Sequence, residues 1–124
     1  MSAAVYEGGC LCGQVRFAAR GEALNPHSCS CRNCQRHSGA LTLCWVEFPK
    51  GAVQWTGEGG EPARYRSSDY SSRAFCPVCG STLGALDDEP VVALLLGSFD
   101  QPVQPALQPQ SHSFADGCPP GWHP

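Results

Sequence analysis

Apolar residues recur at every second position in short runs along most of the chain. Gln14 to Ala19 alternates, with Val15 and Phe17 on one face. Leu41 to Phe48 places Leu41, Leu43 and Trp45 on one face. The segments Val53–Thr56, Ala63–Arg66, Ser72–Phe75, Thr82–Leu86 and Val91–Gly97 read the same way. Turn signals separate them at Gly8-Gly9, Gly21, Asn25-Pro26, Pro49 to Gly51, Gly57 to Gly60, Pro77, Gly80 and Glu89-Pro90. Many short strands punctuated by Gly and Pro predict a mainly β domain. Only Arg32 to Ser38 suits a helix, of one or two turns. Asp100 to Pro124 carries six prolines, which predicts an extended edge segment around Gln110 to Ala115 followed by an irregular tail. No internal repeat or low-complexity tract is visible.

Composition narrows this further. Gly 14 and Pro 11 make up a fifth of 124 residues, and charged residues only 15%, which excludes a long helical bundle or coiled coil. The length predicts a single domain over residues 1–124. The formal net charge is -3 and Lys50 is the only lysine, so no nucleic-acid partner is expected. The longest apolar run, Val91 to Leu96, is far too short to span a membrane, and no membrane partner is expected. Met1 to Gly9 lacks a basic stretch followed by an apolar core, so a secretory leader is not expected and the cytoplasm is the expected compartment.

The cysteines carry the chemistry. There are 9, an odd count that suits disulfides poorly, and in a reducing compartment closely spaced cysteines usually hold metal. Seven fall in three clusters: Cys10 and Cys12; Cys29, Cys31 and Cys34; Cys76 and Cys79. A tight turn can deliver two thiolates to one ion at about 2.3 Å each. Cys76 to Gly80 is such a knuckle, with Gly80 relieving the backbone where amides bend toward sulfur. Two pairs close a four-thiolate site, and three thiolates leave a position open. The arithmetic suggests one structural zinc and one reactive zinc, two Zn2+ per chain. Pairing the trio with one cysteine of another cluster wastes ligands. Zinc is preferred because nothing here demands redox chemistry, though the residue types also suit iron. Competing readings are a thioredoxin-type pair, which needs a helix after Cys79, and two purely structural ions. Cys44 reads as an inert buried thiol and Cys118 has no assigned role. His37 reads as an exposed loop histidine, and Tyr65 and Trp45 as core residues.

Two stretches match a known pattern: Gly8-Gly9-Cys10 through Cys12-Gly13 to Val15-Arg16-Phe17, and Cys29 through Cys31-Arg32 and Cys34 to Arg36, Ser38, Gly39 and Ala40. Further matches are Gly57-Glu58, Tyr65 to Ser68, Arg73, Phe75-Cys76-Pro77, Cys79-Gly80-Ser81 and Gly97 to Asp100, with His112 and Asp116-Gly117 weaker. The chain resembles the glutathione-dependent formaldehyde-activating enzyme family, also called the centromere-protein-V-type domain. The resemblance implies a mainly β, Mss4-like (β-tent) zinc-binding fold of short antiparallel strands with little helix. It implies a structural zinc at Cys10, Cys12, Cys76 and Cys79, and a second, catalytic zinc at Cys29, Cys31 and Cys34. Ser30 stands where many relatives carry His, and Phe99 replaces a common Leu.

The implied activity is that of a zinc-dependent carbon–sulfur lyase, in which glutathione or a similar small thiol joins formaldehyde or another aldehyde. The product with glutathione is S-(hydroxymethyl)glutathione. The alternative is a non-catalytic zinc-stabilised binding or adaptor module, in which Cys44, Cys118 or His112 would close the second site. The two carboxylates of glutathione call for Arg forks. Arg32, Arg36, Arg64, Arg66 and Arg73 are available, and Arg32 and Arg36 rank highest because they flank the open loop. Ser38 and His112 are candidates for an acid near the carbonyl oxygen. Exposed strand edges make a homodimer a further expectation.

Overall fold

The computed structural model describes residues 4–88 and 90–122. Glu89 of the predicted turn and His123-Pro124 at the end of the tail lie outside the described residues. Among the described residues ten strands form two sheets. β1 (Val5–Gly9), β2 (Arg16–Arg20) and β5 (Val53–Trp55) make an antiparallel sheet in the order β1-β2-β5. The larger sheet combines β3 (Leu24–Cys29), β4 (Leu43–Pro49), β6 (Ala63–Arg66), β7 (Ser71–Phe75), β8 (Thr82–Asp87), β9 (Val91–Leu95) and β10 (His112–Ser113). Its order is β10-β3-β4-β9-β8-β7-β6, and only β10 runs parallel to its neighbour. Among the described residues α1 (Arg32–Ser38) is the one α-helix, and no helix is long and apolar enough to cross a membrane.

The main core forms where the sheets face each other. Val15 and Phe17 are both 1% exposed, as their alternation predicts. They meet Val46 and Phe48 of β4, Leu83 and Leu86 of β8, and Val92 and Leu94 of β9. Phe99, just beyond β9, packs edge-on against Phe17 with ring centroids 5.1 Å apart and also meets Phe48 and Tyr6. β4 is covered on both faces. Val46 and Phe48 enter this core, whereas Trp45 packs on the opposite face in a second, smaller cluster with Ala85 and Leu95. That second face carries the three-cysteine loop.

The structure departs from the sequence reading where local chemistry is atypical of strands. β1 is a strand despite Gly8-Gly9. β3 contains Asn25-Pro26, which reads as a turn. Asn25 takes a left-handed φ of 47° and the pairing with β4 shifts register between Leu24 and His27. Proline sits in this strand because the bulge releases it from the hydrogen-bond ladder. Leu41 precedes β4 and is exposed. Tyr65 is not a core residue: β6 is the sheet edge, and the side chain is 69% exposed. The Pro-rich segment also contributes to the core, because a 3₁₀ turn at Pro105–Leu107 buries Leu107 completely.

Gly8 of β1 is bridged to Phe99, just beyond β9, at a close backbone approach. A Cβ there would lie 2.5 Å from the Phe17 ring, 2.8 Å from the Phe99 Cα, and against the Ser98 carbonyl oxygen. Gly8→Ala is therefore expected to destabilise the protein by about 1–3 kcal/mol, the usual range for overpacking a core. Thermal unfolding followed by circular dichroism checks this, and a wild-type Tm would contradict it.

Candidate metal centres

Cys10 and Cys12 lie in the loop between β1 and β2, and Cys76 and Cys79 in the loop between β7 and β8. Both loops are tight. The Gly13 amide donates to the Cys10 carbonyl, and the Gly80 amide to the Cys76 carbonyl at 2.9 Å, with Gly13 and Gly80 at positive φ. The Leu11 amide reaches across to Ser81 Oγ at 3.0 Å. The four sulfurs all lie within 4.8 Å of one another. Cys12 Sγ is 3.6 Å from Cys10 Sγ and 3.8 Å from Cys76 Sγ. Tetrahedral ligands at the zinc–sulfur distance are about 3.8 Å apart. Amides already aim at the sulfurs: Val15 N donates to Cys10 Sγ at 3.3 Å, and Val78 N to Cys76 Sγ at 3.4 Å.

The second cluster is built by a strand end and a short helix. Cys29 closes β3. Cys31 is the N-cap of α1, its Sγ accepting from the Cys34 amide at 3.3 Å, which places Cys31 and Cys34 one turn apart. Gly39, at φ 81°, ends the helix. The sulfurs of Cys29, Cys31 and Cys34 lie within 4.8 Å of one another, with Cys31 and Cys34 3.2 Å apart. All nine cysteines are free thiols. No fourth described His, Cys, Asp or Glu joins the trio. Cys44 approaches Ser28 and Cys118 approaches Ser30, so neither closes the second cluster.

The thiols cannot all ionise on protein groups alone. In the first cluster the Ser81 hydroxyl and amide pull Cys79 down to about 5. The Gln14 amide favours the Cys12 thiolate, but desolvation and the neighbouring sulfurs outweigh it and push Cys12 up to about 11. In the second, burial pushes Cys29 up to about 12, with the Cys34 sulfur adding to the rise. Burial also raises Cys31, but the Cys34 amide and the neighbouring sulfurs reverse the sign and lower it. Like charges sharing a site split in this way, and a dication removes the conflict. The donor type, the sulfur spacing and the split ionisation together fit a metal ion at each cluster.

The C-terminal segment straps the second cluster. β10 pairs with the end of β3, and the Ser30 amide donates to the Ser113 carbonyl at 3.0 Å. Ser30 Oγ, fully buried, pairs with Thr42 Oγ1 and His112 Nε2 at 2.7 Å each and lies 3.1 Å from Cys118 Sγ. Gln35 Nε2 donates to the Leu41 and Gly117 carbonyls. His112 and Cys118 are thus placed behind the loop. Ser38 Oγ is held by the Cys34 carbonyl and the Ala40 amide. Neither His112 nor Ser38 faces the open side of the trio.

That open side is a hollow of about 240 Å³ whose wall includes Cys29, Cys31, Cys34, Trp45, Arg73 and Phe114. Its floor follows from strand register. Tyr65, Arg73, Ala85, Ala93 and Glu47 are partners in successive strands β6-β7-β8-β9-β4. The two alanines leave room for Arg73 to lie across the sheet. Its guanidinium carbon sits 5.2 Å from the Trp45 ring centre, a cation–π contact, and Nη1 donates to Cys34 Sγ at 3.6 Å. The expected arginines behave differently. Arg32 turns to Gln35 Oε1 at 2.6 Å and lines no part of this hollow, while Arg36 lines an adjoining one. His37 is not an exposed histidine. Its ring nitrogens are buried, and burial, assisted by the Arg73 charge, lowers its pKa to about 4. Arg73 is legible in the sequence as one of five candidate arginines and as part of the family pattern, ranked below Arg32 and Arg36, and cross-strand register is what brings it to the cysteines.

Comparison with known proteins agrees with this arrangement. The family model described as glutathione-dependent formaldehyde-activating enzyme matches residues 5–117. A Schizosaccharomyces pombe protein named as an uncharacterized lyase is 31% identical over 78 residues, which cover 63% of this chain and 55% of that protein. The chain thus spans about half the length of that curated relative. The crystal structure of a Rhodobacter sphaeroides protein shares the fold, with a TM-score of 0.64 at 19% identity, covering 86% of this chain and 99% of that one. With its cysteine clusters assembled in the family's order and the family pattern running through nearly all its strands, this chain belongs to the glutathione-dependent formaldehyde-activating enzyme family.

Proposed function

We propose that the protein is a zinc-dependent carbon–sulfur lyase-type enzyme that joins a small thiol, glutathione or a similar compound, to formaldehyde or another aldehyde, or runs the reverse reaction. The observation that carries this reading is the contrast between the clusters. Four cysteines converge to complete one set, and three converge beside a hollow with no fourth described ligand. A protein side chain closing the second set would favour the adaptor reading, and Cys44, His112 and Cys118 instead contact Ser28 or Ser30.

In the forward direction a carbon–sulfur bond forms, the π bond of the carbonyl breaks, and the thiol proton ends on the carbonyl oxygen. Zinc bound at Cys29, Cys31 and Cys34 would supply a Lewis-acidic seat that favours the thiolate form of the incoming thiol. The chain's own residues do the rest by position. Arg73 donates to Cys34 Sγ and offsets the charge of the three thiolates. Trp45, Ala85 and Ala93 give the hollow an apolar floor, which holds thiol and aldehyde together and removes an entropic cost of a two-body reaction. Phe114, held at a left-handed φ of 55°, presents its ring at the rim. Backbone strain of this kind is concentrated at functional sites. The Ser30–His112–Thr42 contacts keep the cysteine loop fixed from behind.

The two zinc sets are expected to respond differently to substitution. Structural zinc contributes on the order of 10–16 kcal/mol, comparable with or larger than the whole stability of a small domain, about 5–15 kcal/mol. Cys76→Ser should therefore leave the chain largely unfolded, and a wild-type thermal transition would show that the pairing of knuckles is wrong. Cys31→Ser should keep the fold and the first ion, lose the second, and abolish thiol-dependent activity. Metal analysis with circular dichroism reads both.

The activity itself is read as consumption of formaldehyde with glutathione above the spontaneous rate, followed by NMR. The wild-type protein should accelerate it and Cys31→Ser should not. No acceleration by protein carrying two zinc ions, with glutathione or another small thiol, toward formaldehyde or another aldehyde and in either direction, would refute the enzymatic reading.

A further inference from the structure

Phe114 stands where nothing in the fold accounts for its ring. Its backbone is left-handed, at φ 55° and ψ 41°, a conformation that a bulky side chain rarely adopts and that glycine takes freely. Contacts to the cysteine loop impose it from both sides. The Ser30 amide donates to the Ser113 carbonyl at 3.0 Å, and the Gly117 amide to the Phe114 carbonyl at 2.9 Å. Gly117 presses on the same loop, where a Cβ would lie 2.5 Å from the Ser30 carbonyl oxygen. Packing does not offset the strain, because Phe114 is 65% exposed. Among the described residues the ring pairs all lie in or against the main core, and Phe114 joins none of them. A strained backbone carrying an unpacked ring points to a use outside the fold.

The ring faces the hollow at the three cysteines. Exposed aromatic residues gather on this side. Of the four among the described residues, Phe114 and Tyr70 line this hollow and Tyr65 lines the one beyond Arg73, while Trp122 lines neither. Scattered exposed apolar residues are ordinary, whereas a group of them around one concavity marks a ligand site. Register sets Phe114 close to the sulfurs. Ser113 is the partner of Cys29 in β3, and Cys29 is the partner of Leu43 in β4, two residues before Trp45. Trp45 is 4% exposed and braced by the Arg73 guanidinium, so it offers the hollow a fixed aromatic wall.

Reacting atoms must come within about 3–3.5 Å of each other. A carbonyl carbon that close to a thiol at the trio carries its substituent toward the walls beside Cys29. Formaldehyde has no such substituent. It is little larger than a water molecule, whose share of liquid volume is about 30 Å³, and the hollow holds about 240 Å³. We propose that Phe114 and Trp45 form a subsite for a flat apolar group, so that the three-cysteine centre favours aryl-bearing aldehydes over one- and two-carbon ones. This rests on the reading of Cys29, Cys31 and Cys34 as the thiol-holding centre. In the reaction the thiol sulfur bonds to the aldehyde carbon, the carbonyl π pair moves to oxygen, and the thiol proton ends there. The aryl group is unchanged.

The test gives the full-length, zinc-loaded protein glutathione with formaldehyde, acetaldehyde or phenylacetaldehyde. Acceleration over the spontaneous reaction should be roughly tenfold or more greater for phenylacetaldehyde than for either small aldehyde. Phe114→Gly should remove most of that advantage and Phe114→Tyr should keep it. Because glycine suits the backbone and the ring supports no packing, Phe114→Gly should melt at or above the wild-type Tm. Saturation-transfer NMR with phenylethanol, which carries the ring but no carbonyl, reads the subsite without turnover. Transfer to its ring should be strong in wild type and lost in Phe114→Gly. Equal acceleration of acetaldehyde and phenylacetaldehyde, an advantage unmoved by Phe114→Gly, a Tm several degrees lower in that variant, or no transfer to phenylethanol overturns the subsite. If formaldehyde is still turned over, the lyase reading survives that loss. If no aldehyde is turned over while phenylethanol binds in a Phe114-dependent way, the aryl subsite stands and the lyase reading falls.

Discussion

Mutual repulsion among closely packed thiolates is the constraint on which this structure turns. Seven cysteine sulfurs converge on two points, and the protein's own groups ionise only some of them. Cys79 is drawn down by Ser81 while Cys12 is driven up, and Cys29 is driven up by burial. A cation held at each point would turn that conflict into cohesion. At the first point the consequence is mechanical. The loop between β1 and β2 belongs to the small sheet, and the loop between β7 and β8 to the large one, so an ion held by the four cysteines would fasten the two sheets together. A chain with a modest core and a fifth of its residues Gly or Pro gains much from such a fastening.

The second point is organised for access. Its three sulfurs sit on one face of the large sheet beside small residues, Ala85 and Ala93, where a bulkier pair would fill the hollow. The same small residues let Arg73 reach Trp45 and Cys34 at once. The opposite side of the cysteine loop is closed by the C-terminal segment, which supplies His112 and Cys118 to the buried Ser30 hydroxyl. Closed behind and open in front, the loop is held still where it faces the hollow. Arg73 lies between the sulfurs of this cluster and a neighbouring hollow lined by Arg36 and His37.

Much of this was legible in the sequence, because cysteine spacing and period-two alternation are local signals. The four-plus-three division followed from counting, α1 from its short polar run, and β2 and β6 to β9 from alternation. What was hidden depended on distant partners. β3 looked like a turn because Asn25-Pro26 is tolerated only through a bulge that its pairing with β4 creates. Tyr65 looked like core because alternation does not reveal that β6 is an edge. Arg32 and Arg36 looked equivalent beside the cysteine loop, yet helix geometry turns Arg32 onto Gln35 and leaves Arg36 at a hollow. Arg73 was one arginine among several until cross-strand register set it opposite Ala85 and within reach of Cys34.

The central claim is that seven sulfurs serve two ions, one set complete and the other one ligand short. X-ray absorption at the zinc edge of the purified protein measures this directly. The account predicts about 3.5 sulfur neighbours per zinc at about 2.3 Å with a lighter atom making up the remainder, rising toward four when glutathione is added. Four sulfurs per zinc before any thiol is added, or a count unmoved by glutathione, would contradict it.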